Sequence, residues 1–160
     1  MATKKSTNKP VEDVYDGNKI IELPFPKNVQ LRGQMFIGPM DFSGILTCLR
    51  EILNNSVDEF LAGHCTSISI IRHDEWSFEV LDNGRGVPFD VIDGRNSLSK
   101  IFGTLNAGRN FEAKTVYSTG LNGVGSTCVN ALSSVFKVES RRGSSQGYIE
   151  FHEGYEKKLS

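Results

Sequence analysis

Glu51, Asn55, Asp82 and the glycine-rich run from Gly120 to Gly125 are the residues of this chain whose types and spacing could do chemistry. A carboxylate such as Glu51 can polarise a water for in-line attack on a phosphate. An amide oxygen one helical turn later, at Asn55, can enter the oxygen shell of Mg²⁺. Asp82, in the run Asp-Asn-Gly-Arg-Gly (82–86), can accept the exocyclic amino group of a base. Gly84 and Gly86 would let backbone approach the ring. Gly120-Leu121-Asn122-Gly123-Val124-Gly125 offers backbone N–H groups at the opening of a helix, an anion site. Arg109 and Lys114 add positive charge that could close over a nucleotide. Together these groups describe a site for ATP. The glycine run lacks the Gly-Lys-Ser/Thr ending of a P-loop and does not follow a strand. Each segment also has a plain structural reading: a solvated helix face, a turn, and a flexible loop ahead of a helix.

The elements that must position these groups follow from periodicity. An amphipathic helix is predicted from about Phe42 to Ala62, with Asp41 as N-cap and Gly63 as its stop. On its wheel Glu51, Asn55 and Asp58 fall within roughly 60° of one another. Ile45, Leu46, Leu49, Ile52, Leu53, Val57 and Phe60 spread over the opposite side. Asn54 and Asn55 are poor helix formers without a capping duty, so they need another reason to be there. Ser67–Arg72 and Trp76–Leu81 read as a β-hairpin, which places Asp82 at a strand end. A short helix is expected over Ser97–Thr104, a mobile loop over 105–122 and a helix over Gly123–Ser133. Val135–Ser140 and Gly147–His152 form a second hairpin, with Arg141–Ser145 as its turn. The predicted class is α+β with a mixed, mostly antiparallel sheet and helices on one face.

Bulk properties bound the function. The chain has 160 residues, is 38% hydrophobic and 23% charged, and sets 18 Lys+Arg against 19 Asp+Glu for a net charge of −1. That is one domain of ordinary soluble composition. It has no global positive field to draw it onto DNA or an anionic membrane, so a nucleic-acid role must be local or supplied by another domain. Cys48, Cys65 and Cys128 lack metal-binding spacing and read as reduced thiols of a cytoplasmic protein. The polar, basic start is neither a signal peptide nor a membrane anchor. Residues 1–13 read as a disordered tail and 14–40 as an arm and loop. Pro24, Pro26, Gly33, Gly38 and Pro39 forbid a long regular element there.

These segments, in this order, resemble the GHKL ATPase superfamily with its Bergerat fold, and within it the B subunits of DNA gyrase and topoisomerase IV. The resemblance runs from Met35 to Gly154. It is carried by M-F-I-G (35–38), N-N-S-V-D-E-F-L-A-G-H-C (54–65), L-D-N-G-R-G-V-P (81–88), G-L-N-G-V-G (120–125) and V-N-A-L-S (129–133). It implies an ATP-binding domain over 41–160 that serves a type II DNA topoisomerase. Glu51 would be the general base, Asn55 the Mg²⁺ ligand and Asp82 the adenine-binding acid. Gly86 and Pro88 would wall the adenine pocket, with Arg85 and Arg142 at its rim. Gly120, Leu121, Asn122, Gly123, Val124 and Gly125 would wrap the phosphates beside Ser126. Tyr15 would reach the partner's nucleotide in a homodimer formed when ATP binds. The implied partners are an A-type topoisomerase subunit and, through the full complex, DNA; no membrane is implied.

Departures from the family pattern are local. Asn122 stands where a His is usual, and Arg109-Asn110 replace Gly-Lys in the lid. The family continues with further strands carrying a Gly-Thr pair and with a transducer lysine, none of which follows within Ser160. The C-terminal strands are therefore expected to be truncated and the ATP-binding domain incomplete, with weak binding and little turnover in isolation. The alternative is a non-catalytic nucleotide-binding or decoy module that pairs with a topoisomerase subunit. The retained Glu51 speaks against it. A mismatch-repair type of GHKL ATPase is disfavoured by the A-G-H-C run and the Tyr15 arm.

Overall fold

The computed structural model describes residues 22–105 and 124–160. The expected tail, Tyr15, Arg109, Lys114, Gly120, Leu121, Asn122 and Gly123 lie outside the described residues.

The chain first turns through two short helices, α1 (Lys27–Leu31) and α2 (Gly33–Ile37). The density of Pro and Gly does exclude a long element here. It does not exclude helical turns, because a proline at a helix entrance sacrifices no intrahelical hydrogen bond: Pro26 is the N-cap of α1. Helix α3 (Phe42–Leu61) follows. The Asp41 carboxylate accepts hydrogen bonds from Ser43 N at 2.8 Å and Ser43 Oγ at 2.6 Å, which holds its pKa below the usual carboxylate value. At the other end His64 N donates to Glu59 O and Gly63 N to Phe60 O, each at 2.9 Å. That Schellman closure needs a left-handed residue, and Gly63 supplies it with φ +77°.

Strands β1 (Ile68–Arg72) and β2 (Phe78–Asp82) form the expected hairpin, in register Ile68 to Asp82 and Arg72 to Phe78. A small ribbon, β3 (Val91–Ile92) and β4 (Arg95–Asn96), leads into α4 (Ser97–Gly103). Helix α5 (Gly125–Leu132) precedes β5 (Phe136–Arg142), β6 (Ser145–His152) and β7 (Tyr155–Leu159), an antiparallel sheet in the order β5-β6-β7. Every strand pair among the described residues is antiparallel. The second hairpin is tighter than expected: Arg141, Arg142 and Ser145 are paired in the ladder, leaving a two-residue turn at Gly143-Ser144.

Two apolar clusters hold the elements together. Leu98 and Phe102 of α4 pack on Ile149 and Phe151 of β6, joined by Val87, Phe89, Phe136 and Val138. Val29 of α1 packs on Cys128 and Ala131 of α5. Helix α5 belongs to the second cluster and is tied to α4 by Asn130 Nδ2, which donates to Phe102 O at 2.9 Å, while Gly125 at its N-terminus faces Glu51 of α3.

Candidate functional site

Helix α3 is the platform. Its polar face was expected to stand opposite the packing stripe. It packs instead against α5, with Ser56 meeting β2 from the apolar arc, while Leu46 and Phe60 of the apolar side remain half exposed. The two residues of α3 most withdrawn from solvent are Gly44 and Ser56, rather than its large apolar side chains.

At the α5 end of the site, the Glu51 side chain lies directly over Gly125. A methyl group at position 125 would collide with Glu51 Oε2 and touch its Cβ and Cδ at 3.3 Å. The first residue of α5 must be glycine for the carboxylate to rest there. One turn further along α3, Asn55 Nδ2 donates to Ser126 Oγ at 2.9 Å. The amide nitrogen is thereby committed to α5, and the amide oxygen is the atom with the capacity to ligate a cation. Val124 and Gly125 open α5, whose first-turn N–H groups have no partners within the helix, so the positive end of its dipole sits beside Glu51.

At the β2 end, Ser56 Oγ donates to Asp82 Oδ2 at 2.6 Å. Gly84 N donates to Asp82 Oδ1 at 2.9 Å. Asp82 is the last residue of β2 and is exposed. Asn55 and Ser56 are neighbours in sequence, so one turn of α3 touches both the entrance of α5 and the end of β2. The three chemistry-bearing segments therefore meet on a single helix.

The turn after β2 is fixed by two further contacts. Arg85 grips Glu59 of α3 through Nε (3.0 Å) and Nη2 (2.7 Å), which holds the Glu59 carboxylate below its ordinary pKa and raises that of the guanidinium. Gly86 has φ +72° and abuts the Arg141 carbonyl of β5, where a side chain would clash. Beside it Ser140 Oγ donates to Val87 O at 2.7 Å. Glycine at 86 thus serves a backbone crossing, and the crossing brings the Arg141–Arg142 end of β5 next to the turn. Pro88 is half-buried behind it, and Arg142 is exposed.

Cys48 of α3 and Cys128 of α5 are both free thiols pushed up to about 11, first by burial and then by the Glu51 carboxylate. They stay protonated and form an inert backing to that carboxylate. Among the described residues no three His, Cys, Asp or Glu side chains cluster as a metal site. A divalent ion at Asn55 would take most of its shell from phosphate oxygens and water. Two surface hollows, of about 410 and 350 Å³, lie around α1–α2 and around Gln30, Ala131 and Glu153. Neither is lined by Glu51, Asn55 or Asp82. Ser56 and Glu59 are the site residues that sequence reasoning passed over. Glu59 had a signal in its spacing, since it lies one turn beyond Asn55 on the same face.

Comparison with known proteins identifies the family and its relatives. Residues 40–153 match the family model described as histidine kinase-, DNA gyrase B-, and HSP90-like ATPase. The B subunit of DNA gyrase from Mycoplasmoides gallisepticum is 39% identical over 150 residues, covering 92% of this chain and 23% of that protein. The B subunit of DNA topoisomerase 4 from Mycoplasma capricolum is 39% identical over 142 residues, covering 88% and 22%. The 43K ATPase domain of Thermus thermophilus gyrase B, solved with an aminocoumarin, superposes with a TM-score of 0.68 at 33% identity. It covers 83% of this chain and 33% of that one. The chain spans less than a quarter of the length of the curated gyrase and topoisomerase 4 subunits it matches.

Proposed function

This chain belongs to the family of histidine kinase-, DNA gyrase B- and HSP90-like ATPases, and from that premise we propose that it is the ATP-binding portion of the B subunit of a type II DNA topoisomerase. The observation that carries the reading is the double contact of one α3 turn, Asn55 to Ser126 and Ser56 to Asp82. It sets a base-recognising carboxylate and a phosphate-suited helix entrance on either side of the same helix. Asp82 accepts the adenine amino group. The N–H groups of the α5 entrance, from Val124 through Ser126, receive phosphate oxygens. Glu51, seated on Gly125, takes the proton of the attacking water as general base. The Asn55 amide oxygen would hold Mg²⁺, which when bound would supply charge neutralisation to the triphosphate. Asn55 Nδ2 is taken by Ser126 Oγ, which leaves the amide oxygen for a cation and fits that role.

In the full enzyme, ATP binding dimerises two such domains, with Tyr15 reaching across, and works with an A-type subunit to pass one DNA segment through another. No helix among the described residues is long and apolar enough to cross a membrane. The free thiols suit a cytoplasmic setting.

The test is a split between binding and chemistry. Glu51→Ala should keep its affinity for a non-hydrolysable ATP analogue. Single-turnover hydrolysis of γ-labelled ATP, with protein in excess, should fall by at least about a hundredfold. Equal hydrolysis by both proteins would refute the assignment of the base.

A further inference from the structure

Ser56 is 4% exposed and lies about 100° round α3 from Asn55, on the arc of the apolar residues. A buried hydroxyl needs a partner, and its partner is Asp82 Oδ2 at 2.6 Å, a short charge-assisted bond. The opposite oxygen accepts Gly84 N at 2.9 Å. Asp82 is otherwise at the open end of a hairpin, where a carboxylate would swing about its side-chain torsions. Two donors, one on each oxygen and each from a different element, fix its plane. A carboxylate offers about four lone-pair directions. Two are used here, so acceptor capacity remains for an incoming amino group.

We propose that Ser56 is a positioning residue for base recognition: it holds the Asp82 carboxylate in the orientation that accepts an exocyclic amino group. It touches no ligand itself. It also keeps the acid in register with Asn55, the preceding residue, so one peptide of α3 sets the spacing between the base-reading and phosphate-facing ends of the site. The proposal rests on the reading of Asp82 given above, and its failure is separable from the failure of that reading.

The experiment compares two ligands on the whole chain by titration calorimetry: a non-hydrolysable ATP analogue and the same analogue built on purine riboside, which lacks the 6-amino group. Wild type should prefer the amino-bearing ligand by about tenfold or more. Ser56→Ala should weaken that ligand by about tenfold and leave the desamino ligand unchanged, removing the preference. Ser56→Cys, nearly the same size but a poor donor, should do the same and guards against a packing defect in the alanine variant. Equal weakening of both ligands in both variants would make Ser56 a structural residue and overturn the proposal. So would an undiminished preference. A wild type without any preference would instead sink the reading of Asp82 as base acceptor, and the proposal with it.

Discussion

At the scale of single residues, the site depends on what each group is pressed against. Glu51 rests on a glycine, and Gly125→Ala would push the carboxylate off its seat. We expect that variant to bind a non-hydrolysable ATP analogue but to hydrolyse ATP on the order of a hundredfold more slowly, as a misplacement of about 1 Å would cost. Single-turnover kinetics would check it. The Glu59–Arg85 pair makes a second prediction. Arg85 depresses the Glu59 pKa below its ordinary 4.5, so the pair's contribution is present above that value and lost as pH falls through the depressed one. Both side chains are partly solvated, at 31% and 43% exposed, so the effect is small. The melting-temperature gap between wild type and Glu59→Gln should narrow as pH drops from about 6 towards about 3. A gap constant across that range would show the pair to be energetically silent. Glu51, Asn55 and Asp82 stand out in the sequence because their types name a chemistry. Ser56 does not, because a serine in a helix announces nothing until the carboxylate it bonds, 26 positions away, is seen beside it.

At the scale of elements, α3 was legible almost to the residue, since its pattern is long and both caps carry side-chain or glycine signals. Gly63→Ala should cost about 1 kcal/mol, because the Schellman closure holds position 63 at φ +77° and alanine is strained in a left-handed conformation. A urea midpoint equal to wild type would contradict that. Helix α4 and the β1–β2 hairpin were legible too, whereas α1, α2, β3, β4 and β7 were missed. The β3–β4 ribbon turns on Asp93-Gly94 (φ +54° and +74°), and β6–β7 turns on Glu153-Gly154 (φ +51° and +82°). Both are two-residue turns with paired positive φ, the geometry that favours a residue followed by glycine. Asp93-Gly94 was a readable hairpin signal, but the flanking strands are only two residues each and carry no period. Helix α3 also shows why a wheel misleads at a site. The face of Glu51 and Asn55 is not left to solvent but meets α5, and the contact to β2 comes from Ser56 on the apolar arc.

At the scale of the whole molecule, stability and site are held by different parts. The α4–β6 cluster is the dry core: Leu98 and Ile149 are fully buried and Phe151 is 2% exposed. Phe151→Ala should cost about 3–5 kcal/mol, whereas Ile70→Ala on the exposed hairpin should fall within about 1 kcal/mol of wild type. Chemical denaturation would separate them. The α+β class followed from the order of elements, and the family from short motifs. The meeting of α3, β2 and α5 was expected from the chemistry of their residues, while the contacts that make it, between residues 26 and 71 positions apart, could not be read from spacing. That meeting is the central claim, and calorimetric titration with a non-hydrolysable ATP analogue tests it most directly, with and without Mg²⁺, on wild type and Asp82→Asn. The account predicts one-site heat that needs Mg²⁺ and weakens by at least about tenfold in the variant. Heat that ignores both the ion and the substitution, or no heat at all, would contradict it.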